Sequence, residues 1–80
     1  MKALVTVTLK TGVLDPQGAA IANALRTLGF DTVRGARQGK IIELDLTEDN
    51  PVKAERDVER MAETLLANGV IEDFTIEILD

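Results

Sequence analysis

The sequence predicts an α+β fold in which two helices lie on one face of a four-stranded, mainly antiparallel sheet. Three observations predict it. Ala3 to Leu9, Ile42 to Thr47 and Phe74 to Leu79 alternate apolar with polar residues at the period of a half-buried strand. Two intervening stretches repeat apolar residues at three and four positions, the spacing of an amphipathic helix. Each of those stretches opens on a capping residue followed by proline, Asp15-Pro16 and Asn50-Pro51.

In order along the chain, Ala3, Val5, Val7 and Leu9 form the apolar side of the first strand, opposite Leu4, Thr6 and Thr8. Asp15 caps the first helix, and Pro16 sits where a missing N–H costs nothing. Ile21, Leu25 and Leu28 form its stripe, and Gly29 ends it. Asp31 to Arg37 reads as a second strand, with Gln38-Gly39 before Lys40 supplying the positive-φ glycine of a tight hairpin. Ile42, Leu44 and Leu46 are the dry side of the third strand, opposite Glu43, Asp45 and Thr47. Val58, Met61, Ala62 and Leu65 form the stripe of the second helix, with Glu55, Arg56, Glu59, Arg60 and Glu63 opposite, and Asn68-Gly69 closes it. Phe74, Ile76 and Ile78 then face inward from the last strand. The order is β-α-β-β-α-β, and right-handed crossovers make it a ferredoxin-like two-layer sandwich, one domain over residues 1–80.

The uncovered face of that sheet carries Lys2, Leu4, Thr6 and Thr8 beside Ile41, Glu43 and Asp45, with Thr75, Glu77 and Leu79 nearby. Leu4, Ile41 and Leu79 are its apolar members and the candidates for a dimer face. A chain of 80 residues buries only roughly 60% of its unfolded surface, so self-association relieves a thin core.

Composition removes several function classes. The net charge of −5 disfavours nucleic acid and anionic lipid, and with no Trp or Tyr and only Phe30 and Phe74 as aromatics there is little to stack on bases. The absence of Cys and His removes disulfides, thiolate or imidazole metal sites, Cys and Ser-His-Asp nucleophiles and a histidine base. There is no signal-peptide core and no apolar run near the ~20 residues of a membrane span, so a cytoplasmic chain with no membrane partner is expected.

The fold hosts unrelated functions, so each must be judged at its site. A metal chaperone of this topology needs a Cys pair, and an RNA-binding domain needs aromatics where this chain has Val5, Val7, Ile42 and Leu44. An acylphosphatase would carry a phosphate loop that Lys10 to Gly18 does not match. The loop Gly12 to Gly18 lacks the Gly-Lys-Ser/Thr of a nucleotide loop and holds Asp15, which repels phosphate. The acidic pairs Glu43/Asp45, Glu48/Asp49 and Glu72/Asp73 fall at wet positions, which suits solvation better than acid-base work. Arg34, Arg37 and Lys40 form the one local basic cluster.

The segment Gly12-Val13-Leu14-Asp15-Pro16-Gln17-Gly18 resembles the PurS family, the small subunit of phosphoribosylformylglycinamidine synthase. The resemblance continues through Ala24-Leu25, Leu28-Gly29-Phe30, Val33, Arg37-Gln38-Gly39-Lys40, Ile42-Glu43-Leu44, Leu65-Leu66-Ala67-Asn68 and Val70-Ile71-Glu72. It departs at Gly69, where the family commonly has proline, and at Phe74, where it has tyrosine.

The resemblance implies a non-catalytic subunit in purine biosynthesis, a homodimer or tetramer that joins a synthetase subunit (PurL) to a glutaminase subunit (PurQ). ATP and Mg are then used by the synthetase, and this chain carries no catalytic residue, cofactor or metal. The expected partner contacts are Gly12, Asp15, Pro16, Gln17 and Gly18 in the loop and Arg37, Gly39 and Lys40 beyond it. The rival expectation is a small-molecule sensor of the ACT type, which is similar in element order and binds ligands at strand-helix loops between paired subunits.

Overall fold

The computed structural model describes residues 1–79 and contains three strands and two helices. Strand β1 (Lys2–Leu9) lies in the centre of the sheet, with β2 (Gly39–Asp45) on one side and β3 (Glu72–Leu79) on the other, both antiparallel to it. Helix α1 (Pro16–Thr27) joins β1 to β2. Helix α2 (Pro51–Met61), prolonged by a π-helical turn (Ala62–Leu66), joins β2 to β3. Among the described residues no helix is long and apolar enough to cross a membrane.

The register confirms which side chains share a face. Val5 pairs with Ile42 and Ile76, Ala3 with Leu44 and Ile78, and Val7 with Phe74, so the apolar alternation of all three strands points the same way. Over that face lie Val58, Ala62, Leu66 and Ala67 from α2 and its extension. The fully buried side chains are alanines and valines, with Val5, Val7 and Val58 the largest, while the leucines, isoleucines and Phe74 around them are half-buried. The core is accordingly small.

Both helix starts follow the sequence. Asp15 Oδ1 accepts from Gly18 N at 2.8 Å, and Asn50 Oδ1 accepts from Val52 N at 3.0 Å and Lys53 N at 3.2 Å. Gly29, with φ +102°, terminates α1: its N–H donates to Arg26 O and that of Phe30 to Leu25 O, the paired bonds of a Schellman motif.

Three expectations need correction. The sheet has three strands, not four, because Asp31 to Arg37 does not join it. Backbone groups of this stretch and of Gln38 just beyond it are engaged elsewhere: Arg26 Nη1 donates to Val33 O (2.9 Å) and Arg34 O (3.3 Å), and Gln38 N donates to Asp15 Oδ2 (2.9 Å). There is then no hairpin at Gly39, whose φ is not positive. Glycine is needed there for closeness, since a Cβ would lie 2.6 Å from Val7 O.

The stripe of α2 is also displaced. Val58 and Ala62 are buried as expected, but Met61 and Leu65 are exposed, and Leu66 and Ala67 turn inward instead. The cause is the π turn, closed by Ala67 N donating to Ala62 O, which inserts one residue into the helical repeat and carries Leu65 off the core side.

Finally, α2 alone supplies the helical layer of the core. Helix α1 contributes no residue to the core cluster and makes at most marginal contact with the strands and with α2. It is tied instead to the segment that returns from its own end, through Arg26 and Asp15. The molecule is correspondingly long and thin, 48 × 27 × 14 Å.

Candidate partner-contact cleft

At the end of β1 the chain turns through Lys10 to Val13, with Val13 N donating to Lys10 O at 3.1 Å and Gly12 at φ +91° in the third position, as a type II turn requires. That turn sets up Asp15, whose carboxylate joins two segments distant in sequence: one oxygen caps α1 at Gly18 N and the other accepts from Gln38 N. Gly18 is glycine because the return segment passes directly over it. A Cβ there would lie 2.3 Å from Ala36 O and 2.7 Å from Asp15 Oδ2. Arg37 closes the arrangement by donating from its guanidinium to Leu9 O, and Lys10 Nζ pairs with Asp73 Oδ1 at 2.7 Å.

These bonds leave a cleft of about 270 Å³ lined by Val7, Thr8 and Leu9 from β1, Asp15 and Gln17 from the α1 entry, Gln38, Gly39 and Lys40 from the return, and Glu72 from the start of β3. Of the residues expected to contact partners, Asp15, Gln17, Gly39 and Lys40 line it. Arg37 is held at Leu9 O, and Gly18 supports the cleft from beneath Ala36 O. Gly12 and Pro16 shape the entry without lining it. Two stretches separated by some twenty residues therefore form one surface.

The reading of residues missed Gln38, which its position between Arg37 and Gly39 makes recoverable, and Glu72, for which no local pattern signals proximity to Asp15. Glu72 is itself structural, accepting from Asn68 N at 2.7 Å. The backbone amides of Gln38 and, second, Gly18 hold the Asp15 carboxyl below the ordinary aspartate range, so it stays ionised and serves as an acceptor rather than a proton donor. With Asp15, Glu72 and Lys40 in its lining, the cleft carries both signs of charge and offers hydrogen bonds to a protein surface. Among the described residues no three potential ligands are close enough to hold a metal ion.

Leu4, Ile41 and Leu79 occupy the sheet face away from α2. Leu4 pairs with Glu43 and Glu77, Ile41 with Thr6 and Leu79 with Lys2, so the three leave a diagonal apolar stripe across the strands. It is interrupted by charge, since Lys2 Nζ bridges to Glu43 Oε1 at 2.8 Å beside it. The pair raises the Lys2 ammonium and lowers the Glu43 carboxyl from their ordinary values. A more apolar hollow lies on the other face, between Leu44 and α2.

Comparison with known proteins places the whole chain. The family model described as PurS, phosphoribosylformylglycinamidine (FGAM) synthase, matches residues 2–80. This chain belongs to the PurS family. It is 42% identical over 77 residues to the phosphoribosylformylglycinamidine synthase subunit PurS of Methanocaldococcus jannaschii, covering 96% of this chain and 93% of that protein. It is 48% identical over 75 residues to the PurS subunit of Mycobacterium leprae, covering 94% and 91%. The crystal structure of M. jannaschii PurS superposes with a TM-score of 0.86 at 43% identity, covering 95% of this chain and 92% of that one. Bacillus subtilis PurS superposes with a TM-score of 0.85 at 42% identity, covering 99% and 98%. An α+β fold with two helices and an antiparallel sheet is thus shared with solved PurS proteins.

Proposed function

We propose that this chain is the small, non-catalytic subunit of phosphoribosylformylglycinamidine synthase, acting as a homodimer in the cytoplasm that joins a synthetase subunit to a glutaminase subunit. The observation that carries this reading is the PurS match over residues 2–80. The glutaminase releases ammonia from glutamine, and the synthetase uses ATP and Mg to install it on formylglycinamide ribonucleotide. This chain supplies surfaces. The cleft bounded by Asp15, Gln17, Gly39 and Lys40 suits that work, because the carboxylates of Asp15 and Glu72 in it are fixed by backbone amides before a partner arrives.

The test is recovery of both partners on immobilised chain in the presence of glutamine, ADP and Mg. The unaltered chain is expected to retain both. Gln17→Ala with Lys40→Ala, both exposed side chains, should reduce retention while the circular dichroism spectrum is unchanged. Full retention by that variant removes the cleft from the account, and failure of the unaltered chain to retain either partner removes the assembly role.

A further inference from the structure

Three asparagines occur in the chain, and the residue that follows each decides its chemistry. The carboxamide of an asparagine is open to attack by the peptide nitrogen of the next residue where that nitrogen carries a free proton and is not crowded. Asn50 precedes Pro51, whose nitrogen has no proton to lose. Asn23 lies inside α1, where the N–H of Ala24 belongs to the helical ladder and Asn23 Oδ1 is taken by Arg26 Nη2. Asn68 precedes Gly69, and there neither restraint applies.

Asn68, Gly69 and Val70 are exposed in the connection between the π turn and β3. Ile71 N donates to Asn68 O at 3.1 Å, closing a turn with Asn68 first and Gly69 second. Among the described residues Gly69 N has no hydrogen-bond partner. Backbone geometry does not demand glycine here, since its φ is not positive and an added Cβ would meet nothing within 4 Å. Its effect is to leave the nitrogen unshielded. The carboxamide is both held and polarised: Asn68 Oδ1 accepts from Val70 N at 3.0 Å. That bond folds the carboxamide over the peptide carrying Gly69 N and stabilises the oxygen as negative charge develops on it during attack.

We propose that Asn68 is a self-modification site, at which Gly69 N displaces the side-chain amide. The bond from Gly69 N to Cγ forms as the N–H proton passes to solvent. The Cγ–Nδ2 bond breaks, and the amide leaves as ammonia with a proton from solvent. The resulting succinimide takes up water at either carbonyl and opens to aspartate or to isoaspartate, in which the main chain runs through Cγ. The balance is asparagine plus water to aspartate or isoaspartate plus ammonia, with no redox change.

Asn68 O also accepts from Glu72 N at 2.7 Å, and Asn68 N donates to Glu72 Oε1 at 2.7 Å, so this residue clamps the start of β3 through both its backbone and its side chain. In the isoaspartyl form the Asn68 carbonyl becomes part of a side-chain carboxylate, which lengthens the main chain and sets a new negative charge beside Glu72. Glu72 lines the cleft assigned to partner contact, so an aged chain presents that cleft with one wall released. This consequence rests on the assembly reading; the chemistry does not.

The full chain, held in warm, mildly alkaline buffer, is followed by intact mass, peptide mapping and enzymatic isoaspartate methylation. A gain of about 1 Da, confined to Asn68 and faster at higher pH, is expected as the amide gives way to a carboxylate. Gly69→Pro removes the attacking N–H while suiting the second position of this turn, and should abolish the gain. An unchanged Asn68, or an equal gain in the Gly69→Pro chain, would overturn the site. Partner recovery tests the consequence: retention by the aged chain should fall below that of the fresh one, and the aged Gly69→Pro chain should retain as before. Full retention by a modified chain overturns the effect on the cleft, whereas failure of the fresh chain to retain partners strikes the assembly reading alone.

Discussion

Helices α1 and α2 begin with the same device, a capping Asp or Asn followed by proline, yet α2 roofs the core while α1 lies against its own return segment. Their compositions explain the difference. In α2, Lys53, Glu55, Arg56, Asp57, Glu59 and Arg60 take up most of the surface and leave one narrow apolar line, Ala54 and Val58, continued at Ala62. Such a helix has one way to sit on a sheet. In α1 alanines lie on several sides and Arg26 is the one charge, so no face is forced outward. Capping decides where a helix starts; the contrast between its faces decides what it packs on.

The largest effect should come from testing that contrast directly. Val58 is fully buried, and Val58→Ala should cost about 2 kcal/mol in urea unfolding at every protein concentration. Leu28→Ala should lower the unfolding midpoint only at concentrations where copies associate, because within one chain that side chain touches little. A concentration-independent loss at Leu28 would mean that α1 packs within its own chain after all.

Next is the root of α1. Gly18→Ala forces a Cβ against Ala36 O and should cost about 1–3 kcal/mol, detaching the return segment. Gly35, on the same return, has open space around its would-be Cβ and no positive φ, so Gly35→Ala should be neutral or stabilise by up to about 1 kcal/mol. Equal losses at both positions would show that the segment is held by its backbone conformation rather than by closeness to α1.

What could be read from residue order follows the same division. Both caps, the Gly29 stop, the three strands and the inward side of each were legible because they depend on neighbours within four residues. Asp31 to Arg37 was misread because Arg26, which takes the Val33 and Arg34 carbonyls, and Asp15, which takes the amide of Gln38 just beyond, compete with a sheet edge in a way no local period records. The exposure of Leu65 was hidden for a related reason, since a π turn changes the repeat without changing the residues. At the candidate site, both contributing segments were visible as motifs, but their meeting was not. It depends on the second oxygen of Asp15, after the first has served as a cap.

The smallest effects separate the two caps by chemistry. Asn50→Ala should cost about 1 kcal/mol, independent of pH, because an amide does not titrate. Asp15 behaves differently. Its carboxyl sits below the ordinary aspartate range in the folded chain, so its contribution is complete above that range and is lost as the pH falls through the folded value. Acid should therefore loosen α1 before α2. Glu48, also lowered, stands just ahead of α2, but it accepts from Asn50 N and Asp49 N and pairs with Lys53 Nζ without touching the amides of Val52 and Lys53. In amide exchange followed down the acid range and corrected for intrinsic rates, Gly18 and Gln38 should lose protection while Val52 and Lys53 keep theirs. If all four fade together, the two helices share one cooperative unit and α1 is no separate arm.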